Sequence, residues 1–154
     1  MSFLRGAALE PGVELPSLTR AVRREKIRAY AETCGDRNPL HLDDAYAAST
    51  PFGGVIAHGM LVLAYLSEML TGAFGEAYLR GGRLKVRMRA PARPGDALVA
   101  SGRVEALGRS PAGSQVTCAV WVQNQRGETI MDGEARIVVS EGVGCLPPTT
   151  EGAE

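Results

Sequence analysis

Hydrophobic and polar positions along the chain change period once, near its middle. In the first half Ile27, Tyr30, Ala31 and Cys34 recur at helical spacing, so residues 23–34 predict an amphipathic helix that Gly35 ends. Before it, Leu15, Leu18 and Val22 among polar neighbours predict a strand over 13–22. After it, Asp36-Arg37-Asn38-Pro39-Leu40-His41 is too rich in Asx and proline for helix or central strand and predicts an ordered loop. Residues 43–49 predict a short capped helix and 50–54 a turn, and the stretch 59–70, apolar nearly all round, predicts a long helix enclosed by protein. From residue 78 onward the texture is strand after strand. Leu84, Val86, Met88 and Ala90 alternate with Arg83, Lys85, Arg87 and Arg89, and residues 91–96 break the run. Further strands follow over 97–107, along Val116, Cys118, Val120 and Val122, and over 129–139, the last two joined by a hairpin turn at 125–128. Helices followed by an antiparallel meander predict an α+β domain over residues 1–140, its sheet wrapped against the long apolar helix, with 141–154 as a flexible tail.

Composition narrows the function class. The 154 residues suit one domain, and 17 Lys+Arg against 17 Asp+Glu give no net charge, which argues against a chain that neutralises nucleic-acid phosphates. Residues 54–74 are apolar enough to span a bilayer but contain His58 and Glu68 and lack a basic flank, so no membrane segment is expected. Three widely spaced cysteines (Cys34, Cys118, Cys145) without a C-x-x-C support neither a disulfide framework nor a zinc ribbon. With no signal-peptide pattern at the start, a cytoplasmic protein is expected.

Candidate chemistry collects between residues 36 and 59. Asp36 and His41 lie five apart across a rigid Asx-Pro segment, so both can face one point, with Asn38 available to tie the segment together. A histidine passes protons near neutral pH, and a carboxylate can hold and polarise water. Gly59 opens the apolar helix, where free N–H groups and the positive end of the helix dipole can stabilise an oxyanion, and its missing side chain permits close approach. The same spacing also suits a capped turn with no chemistry.

The run Asp36-Arg37-Asn38-Pro39-Leu40-His41-Leu42-Asp43, then Ala47-Ala48, then Gly54-Val55-Ile56-Ala57-His58-Gly59-Met60-Leu61, closely resembles the signature of the MaoC-like hydratases, which include the (R)-specific enoyl-CoA hydratases. The stretch 86–96 resembles the family's strand and turn, with Met88 where an aromatic is common, and the likeness extends over about residues 13–140. It implies a hot-dog fold. It also implies that Asp36 and His41 hold the water that adds to the β-carbon of a trans-2-enoyl thioester while a proton reaches the α-carbon on the same face. The Gly59 N–H would be the oxyanion donor and Asn38 would orient the loop. No metal or organic cofactor is implied, coenzyme A being part of the substrate, and the chain would be a homodimer or dimer of dimers with sheets joined edge to edge and acyl-CoA along the interface.

Four other residues are candidates for substrate contact. His58 can touch the thioester or pantetheine, but the balance favours a helix-entry residue bonded to backbone, since Asp36 and His41 already supply both proton roles. Ser67 can reach the pocket or bond within its helix. Arg87 and Arg89, with Arg80, Arg83, Lys85 and Arg93, either grip phosphates or keep a strand face solvated. Glu68 raises the rival pattern of acyl-carrier-protein dehydratases, in which a glutamate lies five residues after the helix-opening glycine; Ala64 stands there, so that pattern fails. A hot-dog thioesterase and a non-catalytic acyl-CoA-binding subunit remain alternatives.

Overall fold

The computed structural model describes residues 9–140; the tail expected over 141–154 lies outside the described residues. Five helices and five strands follow one another as β1 (Leu18–Ala21), α1 (Arg24–Cys34), α2 (Pro39–Leu42), α3 (Asp44–Ala48), α4 (Gly59–Phe74), α5 (Glu76–Gly81), β2 (Arg83–Met88), β3 (Ala97–Ser110), β4 (Gly113–Gln123) and β5 (Thr129–Val139). All pairings are antiparallel and the sheet order is β1-β3-β4-β5-β2. Thus β3, β4 and β5 form the expected meander, whereas β2 lies beyond β5 and β1 closes the opposite edge.

The core is the contact between α4 and the concave face of this sheet. From α4, Val62, Leu66, Met69, Leu70 and Phe74 are buried, and from the sheet Val104, Val116, Cys118, Val122, Ala135 and Ile137 meet them. Cross-strand partners such as Val104–Cys118–Ala135 share one face, which is why the alternation of period two in β4 and β5 reads as core. Each large aliphatic side chain so enclosed contributes about 1.5–3 kcal/mol of transfer free energy. A sheet rolled around one helix is the hot-dog fold.

Several boundaries differ from the sequence reading. The first strand is confined to Leu18–Ala21, with a single bridge from Glu14 to Arg103, because Pro16 has no N–H to continue a ladder. The segment expected as loop contains a helical turn, α2, since proline is well suited to the first helical position. The apolar helix extends to Phe74 rather than Leu70, and α5 replaces the start of the strand region expected from residue 78. Strand β2 ends at Met88, and its inward side chains Leu84 and Val86 are only half-buried because it is the sheet edge. The next strand passes residue 107 and reaches Ser110 after a bulge between Val104 and Ala106.

Two joints position the region of interest. Gly35 ends α1 in the left-handed conformation (φ 79°), its N–H bonded to the Ala31 carbonyl, as its place after the periodic run predicts. Asp96, almost fully buried, accepts from the Arg93 N–H (2.8 Å) and the Gln125 amide (3.0 Å), which fixes the 91–96 turn. That turn presents the Ala92 carbonyl to the Ala57 N–H (2.8 Å), just before α4.

Gly133 on β5 admits β2 closely: a β-carbon there would run into the Lys85 carbonyl and lie 2.7 Å from the Val86 Cα, both backbone. Gly133→Ala is therefore expected to destabilise the protein by about 3 kcal/mol, the upper end of the overpacking range. Gly108→Ala, where nothing lies within 4 Å of the added carbon, should leave the urea midpoint unchanged; equal midpoints for the two variants would contradict the packing described.

Candidate active site

Between α1 and α3 the short polar side chains bind their own backbone. Asp36 Oδ1 accepts from the Asn38 N–H (3.3 Å), Asn38 Oδ1 accepts from the Leu40 N–H (3.0 Å) and caps α2, and Asp43 Oδ1 accepts from the Tyr46 N–H (2.9 Å) and caps α3. With Pro39 at the first helical position, these bonds hold the segment in one shape. The Asn38 side chain is thus spent on the backbone of its own segment.

His41, on α2, is half-buried, and its Nδ1 lies 2.8 Å from the Ile56 carbonyl oxygen. A carbonyl accepts only, so Nδ1 carries a proton, and in the neutral ring Nε2 then keeps its lone pair. His58, just before α4, is 2 % exposed, with Nε2 2.9 Å from the Asp36 backbone carbonyl; by the same reasoning Nε2–H donates. The two imidazoles are stacked with centroids 3.9 Å apart. One carboxylate oxygen of Asp36 and one nitrogen from each ring lie within 4.8 Å of one another. That is also the donor set of a divalent cation. Nδ1 of His41 and Nε2 of His58 face carbonyls, which leaves one nitrogen of each ring for any further partner.

Gly59 follows His58 directly and opens α4, so its N–H has no acceptor within the helix. The exposed side chain of Met88, at the end of β2, lies across it: the position of a β-carbon on Gly59 is 2.5 Å from Met88 Sδ. Asp36 and His41 thus lie close to His58, the residue before the α4 N-terminus, which places a carboxylate and an imidazole near a helix-terminal N–H donor.

Residues 9–118 match the family described as a MaoC like domain. The chain belongs to that family. It is 34% identical over 126 residues to the 3-hydroxybutyryl-CoA dehydratase of Methylorubrum extorquens, covering 79% of this chain and 76% of that protein. It is 33% identical over 121 residues to an (R)-specific enoyl-CoA hydratase of Aeromonas caviae, with coverages of 77% and 87%. Among solved structures, the MaoC-like dehydratase from Rhodospirillum rubrum superimposes with a TM-score of 0.76 at 30% identity, covering 89% of this chain and 97% of that one.

The remaining candidates in this MaoC-like chain are placed unevenly. Ser67 is eight residues along α4 from Gly59, about 12 Å at helical rise, and its Oγ accepts from the Tyr78 hydroxyl (3.2 Å). The Arg89 guanidinium Nε donates to both Asp132 oxygens (2.9 and 3.0 Å), whereas Arg83, Lys85 and Arg87 stand on the outward face of β2 beside a cleft of about 530 Å³ that also meets Glu134 and Arg136. Glu68 pairs with Arg20, joining α4 to β1. Sequence reasoning missed three groups: the Ile56 carbonyl, which as backbone has no signature; Met88 as the cover of Gly59; and Tyr30, whose ring lies 4.9 Å from that of His58 and whose helical spacing marks it only as an inward position. Among the described residues no helix is long and apolar enough to cross a membrane.

The role of Asn38 is open to a simple measurement. Asn38→Ala should cost about 1 kcal/mol, the usual loss of an N-cap, and Asn38→Asp should restore it. If urea midpoints for Asn38→Ala and the parent coincide, the cap does not stabilise the loop.

Proposed function

We propose that the chain is a hydro-lyase that adds water to trans-2-enoyl-CoA to give (R)-3-hydroxyacyl-CoA, and runs the reverse dehydration. The observation that carries this reading is the closeness of the Asp36 carboxylate to the His41 imidazole beside the entrance of α4, with His41 Nδ1 engaged by the Ile56 carbonyl, so that Nε2 is the nitrogen left to act as base.

The step balances with one water and no cofactor. Asp36 accepts a hydrogen bond from the water while His41 Nε2 takes its other proton. The hydroxyl oxygen bonds to Cβ, the Cα=Cβ π electrons move toward the thioester, and the resulting enolate oxygen takes the Gly59 N–H. The imidazolium proton of His41 then passes to Cα on the same face, restoring the thioester and the neutral ring. An N–H donor aimed at developing negative charge contributes about 3–4 kcal/mol in comparable oxyanion sites, and the dipole of the 16-residue α4 adds in the same sense.

The substrate's other end suits the cationic side of β2. Arg83, Lys85 and Arg87 supply the charge for the phosphates of coenzyme A, and Arg89, already engaged by Asp132, takes the lesser part. Two copies joined along β2 complete the sheet and cover Met60 and Met88, 56% and 60% exposed in one copy. Such a homodimer, or a dimer of dimers built from it, brings like charges opposite one another, which is unfavourable alone and is offset by bound phosphate.

Hydration of crotonyl-CoA, followed as loss of enoyl absorbance, tests the reading. Asp36→Asn and His41→Ala should each reduce kcat by ~10²-fold or more while remaining folded. Activity of either variant within about threefold of the parent contradicts it, and release of free thiol without hydration replaces it by thioester hydrolysis. Arg87→Ala should raise KM for crotonyl-CoA but not for crotonyl-pantetheine, which lacks the nucleotide phosphates; an equal change for both excludes Arg87 from phosphate binding.

A further inference from the structure

We infer that His58 is the positioning residue of this site, holding the Asp36 loop, the His41 ring and the start of α4 in one register through its neutral Nε2–H form. The inference rests on the hydratase reading for its kinetic consequence but not for its structural one.

Two ordinary roles for a buried histidine at this place fail. His58 is the N-cap residue of α4 yet makes no side-chain cap bond. It is also not a fully satisfied core histidine, because among the described residues its Nδ1 has no hydrogen-bond partner. A buried polar nitrogen left in this way costs about 1–3 kcal/mol. Serine or aspartate would cap the helix, and phenylalanine would fill the space without that cost.

What the imidazole does that these cannot is touch three things at once. Its Nε2–H donates to the Asp36 carbonyl across 22 residues of sequence, fixing the backbone from which the carboxylate projects. One face of its ring stacks on His41, and Tyr30 of α1 packs against it at 4.9 Å with the rings tilted by 54°. By covalent continuity it then sets where the Gly59 N–H lies. The titratable groups against it are Tyr30 from α1, Asp36 from the loop and His41 from α2; the Tyr30 hydroxyl is pushed up, chiefly by burial and further by Cys34 and the Asp36 carboxylate. Stacking also bears on the reaction: when His41 takes the water proton, the imidazolium lies against a neutral aromatic face rather than a second cation, an attractive arrangement. A protonated His58 would oppose that charge.

The tautomers can be read without any turnover. Long-range ¹⁵N–¹H spectra of the imidazoles in the ligand-free parent protein at neutral pH should show opposite forms: proton on Nδ1 in His41 and on Nε2 in His58. A proton on Nδ1 of His58, or a doubly protonated ring, overturns the inference whether or not the protein hydrates enoyl thioesters. Kinetics separate the two contacts. His58→Gln keeps an amide donor for the Asp36 carbonyl and removes the ring, and His58→Phe keeps the ring and removes the donor. Each should lower kcat by ~10- to 10²-fold, the scale of a misplaced catalytic group, with KM within about threefold of the parent. Unchanged kcat in folded variants, or a rise in KM alone, overturns the positioning role, the second result marking direct substrate contact. If neither variant folds, Tyr30→Leu removes only the backing ring and should lower kcat at constant KM, with Tyr30→Phe restoring it; no change in Tyr30→Leu counts against the stack.

Discussion

A helix of 16 residues with almost no polar face is stable in water only if protein surrounds it, and the placement of the site follows from how that enclosure is achieved. The sheet rolls around α4 and buries one side of it, Leu61 and Val62 included, but at its very start Gly59 is only half-buried and its N–H has no intrahelical acceptor. The entrance of α4 is thus where the core supplies a rigid, partly solvated donor. The neighbouring segments are fitted to it: the 91–96 turn ties Ala57, Ile56 turns its carbonyl to His41, and His58 reaches back to the Asp36 backbone.

Polarity at the opening is arranged by backbone atoms more than by side chains. Two carbonyls each engage one nitrogen of an imidazole, Nδ1 of His41 and Nε2 of His58, and one nitrogen of each ring lies within 4.8 Å of an Asp36 carboxylate oxygen. Asp36 and Asn38 are likewise held through main-chain N–H groups. An imidazole, a carboxylate and a helix-terminal N–H are then held by an ordered segment rather than by flexible side chains, which is the condition for electrostatic preorganisation. Met88, unbranched and exposed, is the adaptable group over Gly59.

Much of this was legible in the sequence where the signal is local. Gly35 ends α1 and Asp43 caps α3 where their residue types place them, and the apolar stretch is the buried helix. The motif from Asp36 to His41, with Gly59, brings together the residues it implies. What was not legible depends on partners distant in sequence or on backbone. The role of Arg89 turns on Asp132, 43 residues away, and that of Ser67 on Tyr78, which lies in a six-residue helix too short to show periodicity. Proline misled in the Asx-Pro segment, because the same residue that stops a helix also starts one. The alternation in β2 marked its two faces correctly but not its place at the sheet edge, which topology alone decides.

The most direct test of the mechanism is stereochemical. Crotonyl-CoA incubated with the protein in D₂O, with configuration read at C2 and C3 of the product, should yield the (3R)-hydroxy thioester with deuterium at C2 on the face that received the hydroxyl. A (3S) product, or deuterium delivered to the opposite face, would contradict addition of water by Asp36 and His41 from one side.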